Sequence, residues 1–226
     1  MRRAIRALST VLIIAGTLLL VDAGLTLAWQ EPVSAIYARI TQNRLAGDLK
    51  DLERAEPTPV ERRALAHLGD EPRRMAFLAR RLKAHVQEGA AVGRIKLPTI
   101  GANYVVVQGT GTGDLRKGPG HYPDTPLPGE HGTVAIAGHR TTYLAPFRHI
   151  NDLERGDRVV LEMPYGRFTY AVQGTRIVEP TDFSVIKRVG YDRLVLTACH
   201  PLYSASKRIV AFARLVSSEP RGAAAR

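Results

Sequence analysis

The chain has one cysteine, Cys199, and one tryptophan, Trp29. A single thiol excludes an internal disulfide framework and any zinc site built from several thiolates. Aromatic residues are 6% of the sequence, and no basic patch is interleaved with them. The formal net charge of +11 is therefore not read as a nucleic-acid footprint. There is also no basic tail. Residues 1–90 carry 14 basic and 10 acidic side chains, and the remainder carry 18 and 11, so the excess is spread as +4 and +7. Spread charge of this kind suits an anionic membrane face or cell wall. No segment repeats. Hydrophobic content of 45% and charged content of 23% fit a globular chain. Its 226 residues leave room for one core of roughly 130 residues plus an accessory segment.

The N-terminus is apolar after a short basic lead. Met1-Arg-Arg-Ala-Ile-Arg6 precedes an uncharged run from Ala7 to Val21, and apolar character continues past Asp22 to Trp29. That length spans a bilayer core of about 30 Å. The basic lead favours an N-terminus kept inside, and Trp29 suits the outer interface. An uncleaved anchor over residues 1–30 is the favoured reading. The competing one is a cleaved signal peptide with Val21-Asp-Ala23 as its small-residue site. Both place the rest of the chain outside the cytoplasm.

Residues 31–90 have the pattern of a charged helical stem. Thr58-Pro-Val-Glu61 has capping-box spacing with proline at the first helical position, and its helix should stop near Gly69. A second helix is expected over 71–87, with Met75, Leu78, Leu82 and Val86 on one face, packed against the domain or another helix. From Val92 the pattern changes to short strands over 92–97, 103–108, 132–137, 158–163, 167–173, 174–179, 193–198 and 208–216, joined by Gly/Pro/Asp-rich turns. Helical turns are expected near 112–117 and 144–152, and a disordered tail over 218–226. Eight short strands over 91–217 favour a mainly β domain, a barrel or sandwich.

In an exported chain a lone thiol is either buried as a small apolar residue or reactive. Cys199 ends the β-type run Leu194-Val-Leu-Thr-Ala-Cys-His-Pro201. A thiol nucleophile needs a proton acceptor and a group that holds the developing oxyanion. Among seven histidines His139 is the best base, because it follows the apolar run Thr133-Val-Ala-Ile-Ala137 and so sits at a strand end. His200 adjoins Cys199, but neighbours on an extended chain point to opposite faces, so it is not taken as the base. Arg208, at the head of the last run, carries a planar fork of donors that stays charged. Each of these has an ordinary structural reading when taken alone.

Together they resemble a family. Gly138-His-Arg-Thr-Thr-Tyr143, Leu196-Thr-Ala-Cys-His-Pro201 and Lys207-Arg-Ile-Val210 are similar to motifs of the sortases, cysteine transpeptidases of Gram-positive surfaces. Gly93-Arg-Ile-Lys-Leu-Pro-Thr-Ile100, Lys117-Gly-Pro-Gly-His-Tyr-Pro123 and Arg155-Gly-Asp157 extend the likeness over about 92–216. The family's Thr-Leu-x-Thr-Cys stands here as Val195-Leu-Thr-Ala-Cys199, with threonine two residues before the cysteine instead of one.

The resemblance implies an eight-stranded sortase β-barrel. Cys199 would attack the Thr–Gly amide of an LPXTG-like signal on secreted proteins, with His139 as general acid/base and Arg208 holding the oxyanion or substrate. An amine of a peptidoglycan precursor or a pilin would then resolve the thioacyl enzyme. The motif wording looks most like class E, which is associated with an LAXTG signal and with actinobacteria, with class D next. No Asp-Pro-Trp-type lid precedes the barrel, which counts against class C. Thr197, Ala198, Tyr143 and His200 are expected to line the peptide groove, and Tyr122 is either a groove or a turn aromatic. No cofactor is implied. The acids Asp152, Glu154 and Asp157 form too thin a cluster for calcium, so no metal is expected. A hydrolase of wall peptides and an inactive wall-binding module are the competing readings.

Overall fold

A computed structural model of the chain describes residues 2–28 and 32–226, with side chains from 3 to 24 and from 34 onward. Helix α1 spans Arg2–Ala28, and no residue of its most apolar stretch, within Arg3–Gly24, is buried inside the protein. Its stretch Arg3–Gly24 is long and apolar enough to cross a membrane. Trp29, expected at the interface, lies outside the described residues.

The stem forms three helices, α2 (Pro32–Arg54), α3 (Pro59–His67) and α4 (Glu71–His85). Two of their starts follow from local chemistry. At α3 the Thr58 hydroxyl accepts from Glu61 N–H, and the Glu61 carboxylate accepts from Thr58 N–H at 2.8 Å, the reciprocal box expected from the sequence. At α4 the Asp70 carboxylate accepts from Arg73 N–H at 2.8 Å. Met75, Leu78 and Leu82 of α4, with Val86 at its C-cap, pack on the domain core as their spacing predicts.

Eight strands follow: β1 (Ala91–Leu97), β2 (Ala102–Gln108), β3 (Gly120–His121), β4 (Thr133–Ala137), β5 (Arg158–Met163), β6 (Gly166–Val178), β7 (Arg193–His200) and β8 (Lys207–Pro220). They close into a barrel in the order β1-β2-β3-β4-β7-β8-β6-β5. The pairs β2–β3 and β4–β7 are parallel and the others antiparallel. Parallel neighbours need a long crossover. The one from β4 to β7 passes through β5 and β6, and it brings residues 139 and 199 to the same end of the wall. Inward-facing Ile95, Val134, Ile136, Leu161, Phe168, Leu194 and Leu196 fill the interior. Alternation sends Ala135, Val195 and Val210 outward into a second cluster with Val185, covered by the segment between β6 and β7.

Three details differ from the sequence expectation. The two strands placed at 167–173 and 174–179 are one bent strand, β6, whose register shifts between Val172 and Gly174. Gly174 has φ +150, a conformation L side chains rarely adopt, and its turn character hides the continuity. Strand β3 has only two residues, too few for alternation to show. The C-terminus is not a disordered tail. β8 pairs with β6 as far as Pro220, and a 3-10 turn, Gly222–Ala224, seats Ala224 fully buried against the domain. Small residues there read as low complexity in sequence, but in the fold they fit a tight contact. The 112–117 turn is a short helix, α5 (Thr112–Leu115), and the 144–152 region holds a 3-10 turn at Ile150–Asp152.

A buried histidine fastens the segment after β3. His121 is 1% exposed, its Nδ1 2.9 Å from the Gln108 side-chain amide and its Nε2 3.0 Å from the Pro126 carbonyl and 3.1 Å from Thr125 Oγ1. Burial pushes its pKa down from 6.5 to about 4. The folded state therefore binds fewer protons than the unfolded chain between those values. The neutral-ring stabilisation is complete above pH 6.5 and is lost as pH falls towards 4. We expect the unfolding midpoint in mild detergent to drop across that window, by the equivalent of about 3 kcal/mol. The slope should flatten in His121→Gln; a wild-type midpoint that does not move between pH 7 and 4 would contradict this.

Candidate active site

Strand register pairs two of the three candidate residues and brings the third to the end of a neighbouring strand. On β7–β8, Cys199 is the direct antiparallel partner of Arg208. On β4–β7, Ala137 is level with Thr197, and the Gly138 N–H continues the ladder to Thr197 O at 3.0 Å. Two residues beyond each member of that pair stand His139 and Cys199. Cys199 and Arg208 thus stand opposite each other on neighbouring strands about 4.8 Å apart, and His139 follows two residues after the end of β4, the strand on the other side of β7. The Cys199–Arg208 pair faces outward. Ala198 and Ile209 beside it belong to the interior cluster, whereas Val195, four residues before Cys199, and Val210, two after Arg208, belong to the outer one.

His139 is held on both sides. A Cβ at Gly138 would come within 2.5 Å of the Phe147 ring, so only glycine lets the strand end pass this fully buried aromatic. On the far side the His139 carbonyl accepts from Phe147 N–H at 3.0 Å. The imidazole packs against Tyr143, ring centroids 5.3 Å apart. Burial and the nearby Arg116 guanidinium both lower its pKa, so the neutral ring is favoured, the form that can take a proton. Its Nε2 has no hydrogen-bond partner among the described residues.

The Cys199 thiol is half-buried and free. Arg208 Nη1 donates to the carbonyls of Ala205 at 2.9 Å and Lys207 at 3.0 Å. Those bonds tie the guanidinium to the β7–β8 turn and leave its remaining N–H donors for another acceptor.

Arg140 was missed as a site residue, although it lies inside the Gly-His-Arg motif. It is 4% exposed. Its Nη2 donates to Asn151 Oδ1 at 2.7 Å, and its Nη1 to the Cys199 carbonyl at 3.3 Å and to His200 Nδ1 at 3.2 Å. This side chain ties the loop carrying His139 to the strand carrying Cys199. Its place directly after His139 in the Gly-His-Arg motif is the signal that would have found it. Arg116 gave no signal at all, because nothing local marks the β2–β3 connection as near residue 139.

The expected groove residues separate. Thr197 is on the Cys199 face, its hydroxyl 2.9 Å from the Tyr122 hydroxyl, and Tyr122 packs on the outer apolar cluster. Tyr143 flanks His139. Ala198 points into the barrel core at 3% exposure and lines no groove. His200 is turned to Arg140, away from the thiol face, since alternation places it opposite Cys199. Arg193 fixes the covering segment by donating to the carbonyls of Val185 and Lys187 at 2.8 and 2.9 Å. The clefts around Met75, Phe168 and Tyr170 and beside α3 contain none of the three candidates. Among the described residues no group of three or more His, Cys, Asp or Glu side chains is placed to hold a metal ion.

A half-buried thiol paired with an arginine at one end of a closed barrel, with a histidine just past the end of the neighbouring strand, is an arrangement compatible with cysteine acyl transfer. The family model described as the Sortase domain matches residues 95–216, and the chain belongs to the sortase family, a family of cysteine transpeptidases. It is 32% identical over 204 residues to Sortase D of Bacillus subtilis (strain 168), covering 88% of this chain and 97% of that protein. The solved sortase E from Streptomyces avermitilis is 37% identical with a TM-score of 0.54, covering 62% of this chain and 99% of that one. A Clostridium perfringens Sortase D5 transpeptidase shares the fold, with a TM-score of 0.63 at 20% identity, 78% of this chain and 99% of that one. Family membership implies sorting-signal substrates and a cell-wall amine.

Proposed function

We propose that the chain cleaves an LPXTG- or LAXTG-like sorting signal between threonine and glycine and joins the threonine carbonyl to a wall or pilin amine. The observation that carries this is the direct pairing of Cys199 with Arg208, beside the strand that leads into His139. His139 takes the thiol proton as the Cys199 sulfur adds to the threonine carbonyl, and the oxyanion accepts hydrogen bonds from Arg208. His139 then delivers that proton to the departing glycine nitrogen as the C–N bond breaks, leaving a thioester on Cys199. The incoming amine attacks that thioester, gives up a proton to His139, and the sulfur leaves. No cofactor takes part. Tyr122 and Thr197 offer hydroxyls beside an otherwise apolar surface, fitting a peptide backbone laid along the wall.

The match over most of the chain to a Sortase D and the higher identity to a sortase E support a class D or class E specificity, of which the motif wording favours E. The apolar α1 supports a single-pass anchor with the barrel outside the cytoplasm, the orientation its basic lead favours. A Gram-positive, actinobacterial source fits the same likeness.

The test gives the full chain, in mild detergent, LPXTG and LAXTG peptides with and without a diamino-acid or triglycine acceptor. Mass spectrometry should show a thioacyl adduct at Cys199 and, with acceptor, a new amide product. Cleavage with no amine transfer would make the protein a hydrolase of such peptides. If no adduct forms with any peptide, the wall-binding module becomes the reading.

A further inference from the structure

Helix α2 lies on the outer wall at β1 and β2, where Leu45 and Leu49 pack on Ala91, Val105 and Val107. Its Gln42 amide completes β2 in place of a neighbouring strand. Oε1 accepts from Val105 N–H at 2.8 Å, and Nε2 donates to Val105 O at 3.0 Å and to Lys117 O at 2.8 Å. These bonds fix both the height and the rotation of the helix. Its first two turns then reach the loop that carries His139. There the buried Ser34 hydroxyl accepts from Tyr143 N–H at 3.3 Å, and the Tyr37 ring meets the Tyr143 ring edge to face, centroids 6.4 Å apart.

Tyr143 needs such support. Tyr143, Leu144 and Ala145 have φ values of 50, 65 and 41, three successive non-glycine residues in the left-handed region. Such conformations persist only where the surroundings over-determine them. The restraints are Ser34 on the Tyr143 N–H, the Tyr104 hydroxyl donating to Leu144 O at 3.2 Å, and Ala145 N–H donating to Thr142 O at 2.8 Å. The Tyr143 ring, so placed, has Tyr37 on one side, the Arg116 guanidinium 5.9 Å from its centroid, and His139 at 5.3 Å.

We propose that the first two turns of α2 are part of the catalytic apparatus: Ser34 and Tyr37 hold Tyr143, and the Tyr143 ring sets the orientation and burial of His139. Tyr37 and Tyr143 are positioning residues in this scheme, which rests on the acid/base role given to His139. Because α2 begins at Pro32, close in sequence to the end of α1 at Ala28, the imidazole is tied mechanically to the segment leading to the membrane. The stem is then more than a spacer. Without the Tyr37 edge, Tyr143 gains freedom, water reaches the imidazole, and the ring loses the alignment that proton transfer needs.

The test uses the full chain in lipid nanodiscs with Tyr37→Ala, Tyr37→Phe and Ser34→Ala. Tyr37 is about half exposed, so these chains should fold. Two readouts are taken: kcat and KM for peptide transfer, and the titration of His139 followed by NMR on histidine-labelled chain, assigned with His139→Gln. The charged and titratable groups shown against His139 are Arg116, at the C-cap of α5, and Tyr143, from its own loop; Arg39 on α2 acts on Tyr104. Tyr37→Ala should lower kcat roughly 3- to 10-fold at nearly constant KM and raise the His139 midpoint as its burial is relieved. Ser34→Ala should shift both in the same direction. Tyr37→Phe should restore both, since the edge contact needs no hydroxyl. Unchanged kcat and titration in Tyr37→Ala, or a fall in thermal midpoint alone, would overturn the proposal. If the wild type transferred nothing, the titration would still decide it, independently of the transpeptidase reading.

Discussion

Cys199→Ala is expected to reduce thioacyl formation and amide transfer to the uncatalysed background. Cys199 is the only thiol in the chain, so no second sulfur can take over the attack. Loss of the nucleophile from a unit of interdependent residues costs on the order of 10⁴-fold or more in kcat. Stability should barely change. The side chain is half-buried at the outer end of β7, and removing one sulfur there leaves no sealed cavity, so the shift should stay within about 0.5 kcal/mol. Peptide binding should also survive, because the surface beside the thiol is intact. The measurements are intact-mass detection of the adduct, product formation, and a thermal midpoint on the same sample. Transfer at a tenth of the wild-type rate by Cys199→Ala would remove the thiol from the mechanism.

Arg208→Lys is expected to lower kcat by about 10²- to 10³-fold, the cost of losing one preorganised oxyanion donor. The charge is kept in this variant, so electrostatics alone would predict little change. Geometry predicts the loss. Nη1 is already committed to the carbonyls of Ala205 and Lys207, and only the other arms of the planar fork remain to reach a second oxygen beside Cys199. An ammonium that satisfies the turn carbonyls cannot also present a fixed donor outward. The fall should therefore sit in kcat, with KM nearly unchanged, because the bond strengthens as charge develops on the carbonyl. An equal rise in KM at constant kcat would instead make Arg208 a ground-state binding residue. Near wild-type turnover would remove it from the site.

Much of this was legible in the residues. The stem helices announced themselves through Thr58-Pro-Val-Glu61 and the Met75, Leu78, Leu82 stripe, because caps and helical period are local chemistry. Seven of the eight strands lay under an expected run, although β6 was divided at Gly174 and the two-residue β3 gave no pattern. A lone thiol and the motifs around it pointed to Cys199, His139 and Arg208 as the candidates. The groove was less legible. Thr197 and Ala198 are neighbours in a strand, yet one bonds Tyr122 on the thiol face and the other fills the core. His200 went to Arg140 for the same reason, a matter of which side of the wall each residue faces.

The sequence by itself determined the helix starts, the apolar N-terminal segment, the mainly β character of residues 91–217 and the presence of a single thiol as candidate nucleophile, which rest on composition and on interactions between near neighbours. Only the tertiary structure decided that Cys199 pairs with Arg208 and that the strand leading to His139 runs beside the one carrying Cys199. That arrangement depends on the β4–β7 parallel crossover and on register between distant strands, which no local pattern encodes. It also decided that buried Arg140 joins two of those strand ends, and that the first turn of the stem rests against Tyr143. Contacts across 60 or 100 residues of chain exist only once the barrel has closed and fixed each side chain's face.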